Sequence, residues 1–168
     1  MKKIGIISDT HGYVDTQILR IVNDCDQVWH AGDIGYNKSI DTFISQNNMC
    51  GVYGNIDGSI IRKIYPKIQK FKCEGVRVLM THIGGYPKKY KSEIEKEIIL
   101  YKPHLYICGH SHILKIIYDK KYNLLHINPG AVGKEGFHKM RTMITLNINL
   151  EKMFNIQVVE LGLRGSLS

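Results

Sequence analysis

The stretch Lys3-Ile4-Gly5-Ile6-Ile7-Ser8-Asp9-Thr10-His11 decides how the rest of the chain is read. Residues 3–8 form a short apolar run that stops at a carboxylate and an imidazole. Such a run reads as a buried strand whose end delivers Asp9 and His11. The pattern recurs downstream. Gln27–His30 is followed by Gly32-Asp33, residues 49–53 by Gly54-Asn55, Val76–Thr81 by His82, and residues 105–108 by Gly109-His110-Ser111-His112. Helical spacing fills the gaps between the first three strands. Residues 16–23 carry Ile18, Leu19, Ile21 and Val22 behind an Asp15 cap, and Lys38–Gln46 carries Ile40, Phe43 and Ile44. A β-α-β-α-β order implies a parallel sheet with right-handed crossovers.

The middle of the chain breaks that rhythm. Residues 60–65 and Ile68–Cys73 read as short strands around Pro66, and residues 86–90 as a polar loop. Ser92–Tyr101 reads as a helix with Ser92 as its N-cap, Glu95 completing a capping box and Pro103 as its stop. The last third is strand-rich. Residues 113–118 and 124–127 predict one hairpin, residues 141–148 and 155–160 a second, and residues 162–168 a frayed tail. The expected architecture is α/β, two packed β-sheets flanked by helices, in one domain spanning residues 1–168.

Composition narrows the function classes. Of 168 residues, 43% are hydrophobic and 23% charged, ordinary for a globular chain with a real core. The longest apolar runs are strand-sized, so no membrane span is expected. Met1-Lys2-Lys3 opens like a signal peptide, but Asp9 and His11 interrupt the apolar run and no cleavage site follows. Cys25, Cys50, Cys73 and Cys108 are scattered and form no Cys-x-x-Cys pair, which suits reduced thiols in a cytoplasmic protein. The net charge of +8 points to an anionic partner. The lysines are spread without interleaved aromatics, so a small phosphorylated molecule is favoured over nucleic acid.

Asp9, His11, Asp33, Asn55, His82, His110 and His112 are all metal-ligand types at strand ends. Mixed carboxylate, imidazole and amide donors suit Mn²⁺, Fe, Zn²⁺, Co²⁺ or Ni²⁺ better than Ca²⁺ or Mg²⁺. Seven donors exceed the needs of one structural zinc. Two ions about 3.5–4 Å apart, sharing a carboxylate, would use them all. In an extended segment, His110 and His112 on either side of Ser111 could reach different ions.

These motifs, in this order, resemble the signature of the calcineurin-like metallophosphoesterases. The short length, and Gly54-Asn55-Ile56-Asp57 where larger relatives carry Gly-Asn-His, resemble the small bacterial and archaeal YfcE-type phosphodiesterases. Asn128-Pro129-Gly130 is similar to a turn of that subfamily. The resemblance covers about residues 3–148. It implies an αββα sandwich and two divalent ions, Mn²⁺ first among them. Asp9, His11 and His112 would hold one ion, and Asn55, His82 and His110 the other. Asp33 would bridge them, and Asp33, Asn55 and His82 would form the catalytic centre. The implied reaction is hydrolysis of a small phosphoester by in-line attack of a hydroxide bridging the ions. Two other functions fit the resemblance: a scaffold like the metallophosphoesterase-fold subunit of the retromer coat, and a nuclease. Small relatives often form homodimers.

Other residues carry weaker expectations. Isoleucine at 56 cannot protonate a leaving oxygen as the larger relatives' histidine can. His30 reads as a core histidine or a site residue, and Asp57 as a ligand-orienting or plain turn carboxylate. His104, His126 and His138 read as structural or exposed, with His138 the best outsider for substrate contact. Arg141, Lys134 and Lys139 could bind phosphate oxygens, but read better as surface charge. Trp29 reads as core, and Ser8 as a strand end. Gly12, Gly32, Gly54 and Gly109 would allow tight turns around the site. Specificity would lie around Tyr36 and in residues 56–59, 84–90 and 134–139.

Overall fold

The computed structural model describes residues 1–165. In chain order the elements are β1 (Lys2–Ile7), α1 (Thr16–Val22), β2 (Gln27–His30), α2 (Lys38–Gln46), β3 (Met49–Gly51), α3 (Ser59–Ile64), β4 (Ile68–Cys73) and β5 (Val76–Thr81). There follow β6 (Gly85–Tyr86), β7 (Lys89–Tyr90), α4 (Ser92–Tyr101), β8 (Leu105–Ile107), β9 (Lys115–Asp119), β10 (Leu124–Asn128), β11 (Met140–Asn149) and β12 (Lys152–Leu163). They build two five-stranded mixed sheets, β12-β11-β1-β2-β3 and β4-β5-β8-β10-β9, plus the small β6–β7 hairpin. Each large sheet contains three consecutive parallel strands, β1-β2-β3 running out to one edge of the first and β5-β8-β10 at the centre of the second. The remaining strands add antiparallel edges.

Strand alternation explains the layering. In β1, Ile4 and Ile6 point between the sheets, where they meet Trp29, Val78, Met80, Ile107 and Ile144. Ile7 faces outward, against Ile18 and Val22 of α1 and Phe43 of α2. On the second sheet Leu79 and Tyr106 face outward against Ile94 and Ile98 of α4. Both faces of each parallel core are therefore covered, as a parallel sheet requires. Trp29 is fully buried, as expected, and its ring meets Phe71 of the facing sheet edge-on at 5.0 Å. The four cysteines are unpaired. Among the described residues no helix is long and apolar enough to cross a membrane.

Several local expectations change. Residues 60–64 lie in a helix, α3, rather than a strand, with Tyr65 as its extended C-cap. Ile61 and Tyr65, four apart, pack on one face against Ile34 and Ile40, while Ile60 and Ile64 stay exposed. A helical period therefore outweighs the β-branched composition. Residues 86–90 are not a plain loop but the β6–β7 hairpin, turning at Lys88 with φ of 72°. Ser92 is the first helical residue, not the cap. Lys91 occupies that position in extended conformation, without a side-chain cap. The Glu95 side chain turns away to Tyr122 and to Lys121 at 2.9 Å, so no capping box forms. Asp15 does cap α1, accepting from the Ile18 amide at 2.9 Å. The β11–β12 pair is longer than its sequence pattern. Gly162 and Leu163 belong to β12, so they do not fray, and residues 166–168 of the expected tail lie outside the described residues.

Candidate metal centre

The loops after β1, β2, β5 and β8 meet at one end of the sandwich and are stitched together by backbone. Asp9 N–H donates to Gly32 O at 3.0 Å and His11 N–H to Asp33 O at 3.1 Å. Gly109 N–H reaches His82 O at 3.0 Å, and His110 N–H reaches Asp9 Oδ2 at 3.2 Å. Five of the seven candidate ligands take left-handed φ: Asp9 55°, His11 47°, Asp33 53°, His110 68° and His112 56°. Such φ values cost non-glycine residues about 1–3 kcal/mol each and persist where surrounding bonds impose them. His110-Ser111-His112 is therefore a turn rather than the expected extended segment. Ser111 N–H closes it on Gly109 O at 2.8 Å.

The side chains converge in two linked groups. Asp9, His11 and His112 present donor atoms within 4.8 Å of one another, and so do Asp33, His82 and His110. His112 Nε2 lies 3.1 Å from Asp9 Oδ1. His82 Nε2 lies 3.2 Å from Asp33 Oδ2 and 3.9 Å from Asp9 Oδ1, while His11 Nε2 is 3.7 Å from Asp33 Oδ2. Asp33 thus touches both groups. Asn55 is exposed and shares a cleft with His82. Next to it, the Ile56 amide donates to Asp33 Oδ1 at 3.0 Å.

Three buried atoms at this meeting point have no hydrogen-bond partner: Asp9 Oδ1, His11 Nε2 and His82 Nε2. Leaving such atoms unsatisfied is costly, and native proteins rarely do so without a reason. A divalent cation bound among them would satisfy all three. The hydrogen bonds behind the rings agree. His82 Nδ1 lies 2.8 Å from Ala31 O, which can only accept, so a neutral His82 turns its Nε2 lone pair inward. His138 Nε2 lies 3.1 Å from Gly133 O and must likewise donate. Burial first, and the neighbouring His112 among smaller causes, hold the His138 imidazolium below its ordinary pKa. Neutral His138 then accepts at Nδ1 from His112 Nδ1 at 3.1 Å, which leaves the His112 Nε2 lone pair facing Asp9. Glu135 Oε2 sits 3.5 Å from His11 Nδ1. The donor types suit divalent ions, and the two candidate groups are Asp9, His11 and His112 in one and Asp33, His82 and His110 in the other.

Charge tells the same story. Burial disfavours the His82 imidazolium, yet Asp33 and Asp9 outweigh it and raise its pKa above the ordinary value. Burial also opposes the Asp33 carboxylate, but His82 and the Ile56 amide hold its pKa below the ordinary range. His110 is shifted down, by burial first and then by its neighbour His82. The centre draws positive charge to its carboxylates.

The weaker expectations sort themselves by contact. Asp57 is buried and accepts from the Ile34, Gly35 and Gly54 amides at 3.1, 2.8 and 2.7 Å. It is a turn carboxylate that ties the Asp33 loop to the Asn55 loop and orients no histidine. His30 is a core histidine. Its Nδ1 accepts from Gly32 N–H at 3.1 Å, its Nε2 bonds Thr10 Oγ1 at 2.9 Å, and burial holds its pKa down at about 4. His138 backs His112 rather than facing substrate. Arg141 is not surface charge. It is 2% exposed and donates to Asp15 Oδ2 and Val132 O, each at 2.7 Å. Lys134 packs over the Tyr13 ring at 4.8 Å, and Lys139 is exposed. Ser8 is buried at the strand end.

Two supports were not visible as site residues. Asn128 Nδ2 holds Gly109 O at 2.9 Å and Ser111 Oγ at 3.1 Å, fixing the turn that carries both histidines. Glu135 falls in the 134–139 segment expected to set specificity, but its place beside His11, remote in sequence, has no local signal. A side chain at Gly54 would put its Cβ 2.0 Å from Asp33 Oδ1, and one at Gly32 would put it 2.6 Å from His82 Cβ.

Comparison with known proteins bears on family and fold. The chain is 30% identical over 156 residues to a protein of Mycoplasma pneumoniae described as a probable metallophosphoesterase, covering 89% of this chain and 91% of that one. An archaeal phosphodiesterase superposes with a TM-score of 0.75 at 23% identity, over 95% of this chain and 99% of the other. Vps29 of Entamoeba histolytica, solved with Zn²⁺, superposes at 0.71 with 14% identity, over 95% and 98%. At these identities the two structures show the shared fold alone. The sequence model of the calcineurin-like phosphoesterase superfamily domain matches residues 1–151, and the chain belongs to that superfamily.

Proposed function

We propose that this protein is a metal-dependent phosphodiesterase acting on a small phosphoester. One observation carries the reading: the unpartnered, buried Asp9 Oδ1, His11 Nε2 and His82 Nε2 face a common point bordered by Asp33. Divalent ions bound there supply Lewis-acid stabilisation of the transferring phosphoryl group and lower the pKa of water. The chain's own contribution is placement. Asp33 is oriented by the Ile56 amide, His82 by Ala31 O, and His112 through His138 to Gly133 O. Mn²⁺ is the first choice of ion, on family resemblance.

Ile56 is 46% exposed at the rim and offers no proton. Esters with acidic leaving groups are therefore the better substrates, and simple alkyl phosphates the poorer ones.

Metal-stripped protein is assayed on bis(p-nitrophenyl) phosphate with single metals added back and Asp33→Asn as control. Hydrolysis that returns with metal, and only in the unsubstituted protein, supports the reading. The fold shared with Vps29 favours a second reading, a binding platform. Metal uptake without hydrolysis of any phosphodiester would establish that reading instead.

A further inference from the structure

Two clefts flank the metal centre on either side of Lys91 and Ile83, and they differ in charge. The first, of ≈ 440 Å³, lies beside Asn55 and His82. Apart from Lys91, which borders both clefts, its cations are already engaged. Lys67 pairs with Glu93 at 3.1 Å, and Arg62 donates to Asp57 O at 2.6 Å while covering the Tyr53 ring. The second, of ≈ 460 Å³, opens beside His110 under the β6–β7 hairpin. Lys89, Lys91 and Lys115 line it, and no carboxylate is among its lining residues. Among the described residues none of these three lysines has a salt-bridge partner. Lys115 lies over the Tyr86 ring at 4.1 Å, a cation–π contact that supplies no anionic partner.

The floor of the second cleft adds an independent sign. His126 is 1% exposed, lines the cleft, and has no partner at Nδ1. Burial, and then the charge of Lys115, hold it neutral, with a pKa lowered to about 4. A buried imidazole nitrogen without a partner is an unmet hydrogen bond. The rim is apolar: Tyr86 and Ile113 are 41% and 61% exposed. Cations, an apolar rim and an unmet polar group suit an extended organic arm that ends in negative charge.

Resting on the phosphodiesterase reading, we propose that this cleft receives one ester arm of the substrate, and that the arm carries a second phosphate held by Lys89, Lys91 and Lys115. Three ammonium groups without salt-bridge partners, with the nearby Asp119 carboxylate already accepting from Tyr90 at 2.8 Å, match a doubly charged phosphate better than a neutral arm. The substrate class is then a small diester with a further phosphate on one arm.

Two chromogenic diesters test this: the p-nitrophenyl ester of thymidine 5′-phosphate, and the same ester bearing a 3′-phosphate. They are compared on the Mn²⁺-loaded protein, with bis(p-nitrophenyl) phosphate alongside. The 3′-phosphorylated ester is expected to show about tenfold higher kcat/KM, expressed mainly in KM and weakened by added salt. The ratio between the two esters should collapse toward one in Lys89→Ala/Lys115→Ala. Equal kcat/KM in the unsubstituted protein, or a ratio that survives the double substitution, overturns the proposal. If no diester is hydrolysed, the phosphodiesterase reading fails by itself. The cleft is then read by titrating metal-free protein with thymidine 3′,5′-bisphosphate and following the ¹⁵N signals of His126. A shift that is lost in the double variant supports the cleft's anion site, and no shift overturns it.

Discussion

Two of the places where left-handed residues occur have opposite meanings. In the β11–β12 hairpin, Leu150 and Glu151 have φ of 46° and 64°. A tight hairpin requires such values because its turn must match the twist of its strands. Both residues are exposed, and the turn asks only for a backbone shape. At the metal centre, Asp9, His11, Asp33, His110 and His112 adopt the same region while their side chains converge on one point. There the unusual backbone aims donor atoms. The hairpin turn is also tied to a distant segment, Glu151 N–H donating to Glu74 O at 2.8 Å, but its side chains converge on nothing; at the strand ends, bonds between distant loops hold side chains on a common point.

The sharpest break in this comparison is Gly54→Ala. Its new Cβ would meet Asp33 Oδ1 at 2.0 Å and the Asp33 backbone nitrogen at 2.4 Å, and that backbone has no room to move. Displacing Asp33 by even about an ångström should lower phosphodiester turnover ~100-fold or more. Steady-state assays at saturating Mn²⁺ check this, with circular dichroism to confirm the fold. Unchanged turnover would mean that Asp33 is not positioned as argued.

His138→Ala removes the acceptor behind His112. Metal affinity should fall by about 10–100-fold, read by equilibrium dialysis rather than by rate. His138→Gln can accept from His112 and donate to Gly133, so it should restore most of the affinity. Equal losses in both variants would show that His138 merely fills space.

Buried histidine away from the centre sets a pH limit. His126, neutral when folded with a pKa lowered to about 4, takes up a proton near its ordinary value of about 6.5 when unfolded. Its contribution is complete above about pH 6.5 and is lost as pH falls toward 4. Between about pH 7 and pH 5 this one group should cost about 2 kcal/mol, visible in urea unfolding. His126→Gln should flatten that part of the curve. An unchanged slope would refute the assignment.

The smallest effect belongs to the hairpin. Leu150→Gly relieves the left-handed backbone and should change stability by no more than about 1 kcal/mol, in the stabilising direction. His11→Gly relieves the same kind of strain yet removes a donor, so metal binding should weaken. Thermal melts with and without Mn²⁺ separate the two cases.

Much of this was legible in the chain. Apolar runs ending in Asp, Asn or His announce strands that deliver ligands, and Ile4 and Ile6 alternate with Ile7 as a two-sided strand should. The errors fall where short-range pattern is ambiguous. Ile60, Ile61 and Ile64 resemble a strand until Ile61 and Tyr65 find a common surface. Arg141 reads as solvent charge until Asp15, distant in sequence, comes within 2.7 Å.

The sequence alone determined the kinds of donor, their order and the strand ends that carry them, because residue type and hydrophobic period are local properties. Tertiary structure decided which donors meet, that His138 and Glu135 stand behind two of them, and that one cleft keeps its lysines free of salt-bridge partners. Those facts depend on contacts between segments many residues apart, which exist only once the two sheets have packed.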